Sequence, residues 1–178
     1  GPMSVNDGSF DFIKYETDWI NIVLSSNKPF LGICLGAQIL AKYLGGKINY
    51  YSDKSSEIGF FDIYPVNEGK NIFKDQTVFF QWHNECFTLP KSCKILAQGN
   101  KFENQAFKYN NAYGLQFHPE VNFYLHLRWL YYVCLYSPHK LKVKGAQSIY
   151  KQILFRIKYN KHMSKWLEYF LDNYLLKS

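Results

Sequence analysis

Two short segments hold the residues whose types and spacing could do covalent chemistry. Residues 29–46 read Pro-Phe-Leu-Gly-Ile-Cys-Leu-Gly-Ala-Gln-Ile-Leu-Ala-Lys-Tyr-Leu-Gly-Gly, with Cys34 at the centre. Residues 114–121 read Gly-Leu-Gln-Phe-His-Pro-Glu-Val and supply His118 and Glu120. Cysteine, histidine and a carboxylate are the parts of an acyl-transfer triad: a nucleophile, the base that activates it, and the group that orients the base. Alone, each segment has a plainer reading. A buried structural cysteine can precede an ordinary Gly-ended helix, and most His-x-Glu pairs lie on surfaces. Together they define a candidate site.

The flanking pattern shows how such a site is built. Pro29 to Ile33 is a short apolar run of strand type. Leu35, Ile39, Leu40, Tyr43 and Leu44 then recur at helical spacing, and Gly45-Gly46 supplies the left-handed conformation that ends helices. Cys34 falls at the strand-to-helix turn, with Gly32 and Gly36 expected to remove side chains that would clash there. This is the nucleophile-elbow pattern with cysteine as the nucleophile, and a helix N-terminus favours the thiolate. His118 and Glu120, two apart on a segment expected to be extended, leave on one side, and Pro119 suits the end or edge of a strand.

At these residues the chain resembles the class I glutamine amidotransferases, in the stand-alone branch related to the amidotransferase domain of GMP synthase. The elbow Gly32-Ile-Cys-Leu-Gly-Ala-Gln38 and the segment Gly114-Leu-Gln-Phe-His-Pro-Glu120 match the family's signatures. So do Glu57-Ile-Gly-Phe-Phe61, Gln81-Trp-His-Asn-Glu-Cys-Phe-Thr-Leu-Pro90 and Asn104-Gln-Ala-Phe-Lys108, in the family's order. The likeness runs to about residue 121. It implies catalytic Cys34, His118 and Glu120, an oxyanion donor at the Leu35 N–H, and substrate contacts by Gln38 and by the turn at Asn84 and Glu85. The family usually has Gly where Asn84 stands. His83 matches a recurrent family histidine and is read as structural.

Gly1-Pro-Met-Ser-Val resembles the family loop that follows its third strand and carries the second oxyanion donor, here Gly1. Gly-Pro before Met is also the remnant of a cleaved expression tag, and both explanations stay open. Either way, the first strands of the domain are expected to be absent. The implied fold is α/β and flavodoxin-like, a sheet of parallel strands extended by antiparallel ones, with a helical C-terminal tail. A parallel sheet lacking strands exposes an edge of unpaired backbone groups, so association into a homo-oligomer or low stability is expected.

At 178 residues the chain fits a single domain over 1–178, with catalytic motifs in 1–121 and a tail in 122–178. Hydrophobic residues at 47% and charged ones at 20% place it among globular rather than disordered chains. No apolar run approaches a membrane span. Cys34, Cys86, Cys93 and Cys134 show no C-x-x-C pairing, which argues for a reducing, cytoplasmic setting and against a disulfide framework. His83, Cys86 and Cys93 have a ligand-like spacing, but no metal or cofactor is expected.

Charge is uneven. Residues 1–120 hold 11 Lys+Arg against 12 Asp+Glu, net −1; residues 121–178 hold 10 against 2, net +8. The tail reads as helices over 122–136, 146–159 and 164–176, the last with an apolar stripe of Trp166, Leu167, Phe170, Tyr174 and Leu175. The simpler reading is that these helices cover the sheet and turn their lysines to solvent. The other is a docking surface for an acidic partner, although no nucleic-acid module accompanies it. The family implies glutamine as substrate and ammonia as product. With no P-loop in the chain, the acceptor is expected on a separate synthetase subunit. The alternatives are a γ-glutamyl peptidase with the same triad, or a catalytically weak fragment that acts by binding.

Overall fold

The computed structural model describes residues 3–8 and 11–177. In chain order the elements are α1 (Asp11–Ser25), β1 (Phe30–Ile33), α2 (Leu35–Tyr43), β2 (Ile48–Tyr50), β3 (Glu57–Asp62), β4 (Tyr64–Pro65) and α3 (Gly69–Ile72). There follow β5 (Val78–His83), β6 (Glu85–Phe87), β7 (Lys94–Gln98), β8 (Asn104–Tyr109), β9 (Ala112–Leu115), α4 (Phe123–Tyr136) and α5 (Ile149–Phe170). The main sheet runs β1-β9-β8-β7-β4, and β2-β6 and β3-β5 form two smaller ribbons. The fold is α/β, as expected. Among the described strands, however, only β1 and β9 pair in parallel; the other strand pairs are antiparallel.

Alternation along the strands divides the interior into two cores. From β8, Phe107 joins Ile39, Leu40 and Ile20 under α1 and α2. Its neighbour Ala106 faces the opposite core, with Leu115, Phe117, Phe79 and Phe80. That second core is closed by α5 through Met163, Trp166 and Phe170. Trp166 stacks on Phe73 at 5.1 Å and donates from Nε1 to the Ile72 carbonyl at 2.9 Å. Both faces of the main sheet are thereby covered by helices, and the elbow lies where β1 runs into α2.

Several local expectations need correction. The tail contains one long helix, α5, where two separate ones were expected. No Pro or Gly interrupts 159–164, and the Ser164 hydroxyl donates to the Asn160 carbonyl within the helix instead of capping a new one. A turn at Asn67-Glu68 leads into the short α3. Helix α1 carries no motif and was not assigned from sequence; Ile13 and Ile20, seven apart, are its buried face. Gly45 has the positive φ of 99° that ends α2, whereas Gly46 does not.

The tail also does something helices cannot. Segment 144–147 lies along the outer edge of β3: the Ser56 amide donates to Lys144 at 2.8 Å and the Gln147 amide to Ile58 at 2.8 Å. The Gln147 side chain continues the pattern, accepting from the Phe60 amide at 3.0 Å and donating to its carbonyl at 2.6 Å. Gln147→Leu is expected to cost about 1–3 kcal/mol by stranding two backbone groups. A denaturant midpoint equal to that of the wild type would show that this pairing carries no stability.

Candidate active site

Cys34 caps α2 with φ 49° and ψ −103°, a conformation that L-residues rarely adopt and one that turns the chain sharply from strand to helix. Its amide donates to the Leu115 carbonyl at 2.7 Å and its carbonyl accepts from Gln38 at 3.0 Å, so both sheet and helix hold the bend. The two elbow glycines are not equivalent. A Cβ at Gly32 would lie 2.6 Å from the Gly36 carbonyl oxygen, whereas one at Gly36 would meet nothing within 4 Å. The expectation that Gly36 removes a clashing side chain is therefore corrected; what matters there is its backbone. Gly32→Ala is expected to destabilise by about 1–3 kcal/mol and Gly36→Ala by under about 1 kcal/mol. Equal thermal shifts in the two proteins would refute this.

His118 does not lie on an extended strand. β9 ends at Leu115, and Pro119-Glu120 forms a turn. The His118 amide donates to the Phe80 carbonyl of β5 at 2.8 Å, which places the ring over the elbow. Its Nδ1 donates to Glu120 Oε1 at 2.7 Å, and the ring lines the same cavity as the Cys34 thiol. The structure thus brings Cys34 and the His118–Glu120 pair to one site. Trp129 of α4 packs edge-on against the His118 ring at 5.3 Å.

The electrostatics of the pair follow from burial and contact. Burial opposes the thiolate, but the nearby His118 outweighs it, with a smaller contribution from His83, and brings the thiol from 9.0 down to about 7. Burial likewise opposes the imidazolium, but Cys34 and then Glu120 outweigh it and raise His118 to about 10. Both shifts favour a thiolate–imidazolium pair.

These residues open on a cavity of about 460 Å³. Leu35, Gln38, Asn84 and Glu85 line it with Cys34 and His118. Gln38 donates to Gln116 Oε1 at 3.2 Å, and Gln116 Nε2 approaches the Cys34 sulfur at 3.6 Å. Asn84 is exposed. Glu85 is buried, its carboxylate taken up by the Ser4 hydroxyl at 2.6 Å. Gly1 lies outside the described residues. His83, also in the cavity wall, contacts Glu57 Oε2 and the Glu85 carbonyl, each at 3.1 Å. Cys86 instead donates to the Asn49 carbonyl. All four cysteines are free.

Sequence reasoning missed two parts of this site. Gln116 stands two residues before His118 in a segment already singled out, but nothing in its type marked it as a neighbour of the thiol. Part of the cavity lining is aromatic, with Trp82 of β5 and Trp129, Tyr132 and Tyr136 of α4. The apolar, tyrosine-rich spacing of α4 was visible, but it pointed equally well to the core.

A cysteine on a nucleophile elbow at the carboxyl end of a parallel strand, facing a histidine held by a glutamate, defines an α/β protein of the flavodoxin-like amidotransferase class. The sequence profile of the family Glutamine amidotransferase class-I matches residues 1–128, and the chain belongs to that family. It is similar to one subunit of the glutamine-hydrolyzing GMP synthase of Methanococcus aeolicus, 37% identical over 62% of this chain and 60% of that protein. It is also similar to the glutamine-hydrolyzing GMP synthase of Wigglesworthia glossinidia brevipalpis, 33% identical over 86% of this chain and 31% of that protein. The chain thus spans about 60% of the length of the first relative and less than a third of the second. Among solved structures, a glutamine amidotransferase from Thermotoga maritima superposes with a TM-score of 0.85 at 32% identity, over 98% of this chain and 75% of that one. A glutamine amido transferase from Methylobacillus flagellatus, at 24% identity and a TM-score of 0.86 over 99% of this chain and 73% of that one, matches in fold.

Proposed function

We propose that the protein hydrolyses the side-chain amide of glutamine through a thioester on Cys34, giving glutamate and ammonia. The observation that carries this is the placement of the Cys34 thiol and the His118 ring in one cavity, with His118 bonded to Glu120, in a member of this family. The thiolate attacks the amide carbon, and the oxyanion forms beside the Leu35 N–H, which as the first amide of α2 has no intrahelical acceptor. His118, held by Glu120, gives its proton to the departing ammonia. It then takes one from the water that opens the thioester. Gln38, Asn84 and Glu85 face the same cavity and are proposed to hold the amino-acid end of the substrate.

The ammonia is proposed to pass to an acceptor on a separate synthetase subunit. Relatives named as one lettered subunit of a glutamine-hydrolyzing GMP synthase support this reading. No described helix is long and apolar enough to cross a membrane, and four free cysteines favour a cytoplasmic setting. Self-association into a homo-oligomer belongs to the same proposal, because β1 is the outermost described strand of its sheet. Glutamate release from glutamine by the purified protein, followed with a coupled dehydrogenase, is the direct test. No release, with folding verified, would favour a chain that acts only by binding.

One observation favours a second substrate class. A cavity of about 460 Å³ falls in the range of roughly 300–1,000 Å³ that buries drug-sized ligands, and one wall is aromatic, with Trp82, Trp129, Tyr132 and Tyr136. A γ-glutamyl amide with an apolar amine would fill that wall, as glutamine does not. Such amides are expected to show a lower KM than glutamine, by about tenfold for well-buried aromatic groups. A KM that ignores the amine would remove this reading.

A further inference from the structure

Arg156 is the exception among the cations of α5. Lys151, Lys158, Lys161 and Lys165 are exposed, whereas Arg156 is 1% exposed. Its guanidinium lies over the rings of Phe60 and Phe80, 4.8 and 5.0 Å from their centroids. Nη1 donates to the Val121 carbonyl at 2.6 Å, and Nε donates to His126 Nδ1 at 3.3 Å. That nitrogen is therefore an acceptor, and His126 Nε2 donates to Gln152 Oε1 at 3.2 Å. Gln152 in turn donates to the Gln147 carbonyl at 2.8 Å. A buried polar chain thus runs from the segment that edges β3 to the residue directly after Glu120.

We infer that Arg156 is a positioning residue for the His118–Glu120 pair, clamping the turn that carries them from the tail side. The His-Pro-Glu turn is fixed at one end by the His118 amide on the Phe80 carbonyl and at the other by Arg156 on the Val121 carbonyl. Phe80 serves both ends, since its ring also lies against the guanidinium. Glu120 needs such a clamp because its side chain is 37% exposed, and water competes there for its hydrogen bond to His118. The guanidinium also feels the Glu120 carboxylate: burial lowers Arg156 to about 10 and the carboxylate partly offsets that. An apolar side chain would fill the space between the two rings without the cost of a buried charge, whose Nη2 finds no acceptor among the described residues.

The inference rests on the proposed pairing of Cys34 with His118, and a test can separate the two. The probe is iodoacetamide, with the alkylation rate of the Cys34 peptide followed by mass spectrometry across pH, a readout that needs no turnover. In the wild type the rate is expected to rise with a midpoint near 7. In Arg156→Met the His118–Glu120 contact loosens and the midpoint is expected to move up by about one pH unit. Arg156→Lys, which keeps the charge and one donor, is expected to fall between. Trp166→Phe, which weakens the same helix away from the site, is expected to keep the wild-type midpoint. A folded Arg156→Met protein with the wild-type midpoint overturns the inference. Should Arg156→Met fail to fold, an unmoved midpoint in folded Arg156→Lys overturns it equally, and an upward shift supports it. A wild-type midpoint in the ordinary thiol range would sink the Cys34–His118 pairing itself, and the inference with it.

Discussion

Replacing Cys34 with alanine is expected to lower glutamate release from glutamine by about 10⁴-fold or more, as loss of a nucleophile does in triad enzymes. The fold should persist, because the strained turn is held by backbone bonds to Leu115 and Gln38 that alanine retains. Cys86→Ala, Cys93→Ala and Cys134→Ala are expected to leave turnover within about twofold of the wild type. None of the three lines the cavity. Burial raises the thiols of Cys86 and Cys93, which makes them poor nucleophiles at neutral pH. Release of glutamate by Cys34→Ala at the wild-type rate would remove Cys34 from the mechanism.

The second large effect is in pH. The proposed mechanism needs two groups in opposite states, a thiolate at Cys34 and an imidazolium at His118. Below about 7 the thiol gains its proton and the nucleophile is lost; above about 10 His118 loses the proton that ammonia needs. Turnover is therefore expected to rise to a plateau at about 7 and to fall beyond about 10, with roughly tenfold loss for each unit below the acid limb. Since each group sets the other's titration, the limbs belong to the pair. His118→Ala is expected to lower turnover by about 10²- to 10⁴-fold and to move the thiolate midpoint back toward the ordinary range. A profile whose acid limb ignores His118→Ala would mean that the two side chains are not coupled in solution.

The parts of the site that were readable in the sequence share a physical cause: local backbone geometry. The elbow was visible because only glycine fits at position 32, and because a strand period gives way to a helix period at Cys34. The meeting of His118 with Glu120 followed from their separation by two, even though the segment proved to be a turn. Partners that meet only through tertiary packing were not legible. Gln116 beside the thiol, the α4 wall of the cavity and Arg156 under the Val121 carbonyl belong to segments far apart in the chain. Their residue types were equally compatible with core or surface. The charge count of the tail was also misleading in detail. Most of its lysines do face solvent, but Lys140 is half-buried in the cavity wall, and its deeply buried cation, Arg156, sits behind the site.

The central claim is that Cys34 is the nucleophile toward the glutamine side chain. The measurement that tests it most directly is covalent trapping with an electrophilic glutamine analogue, read by intact mass and peptide mapping. One equivalent of label on the peptide containing Cys34, slowed by excess glutamine and absent from Cys34→Ala, is the expected result. Label on Cys86, Cys93 or Cys134 with Cys34 unmodified, or no label on a folded protein at about pH 8, where the thiolate predominates, would contradict it.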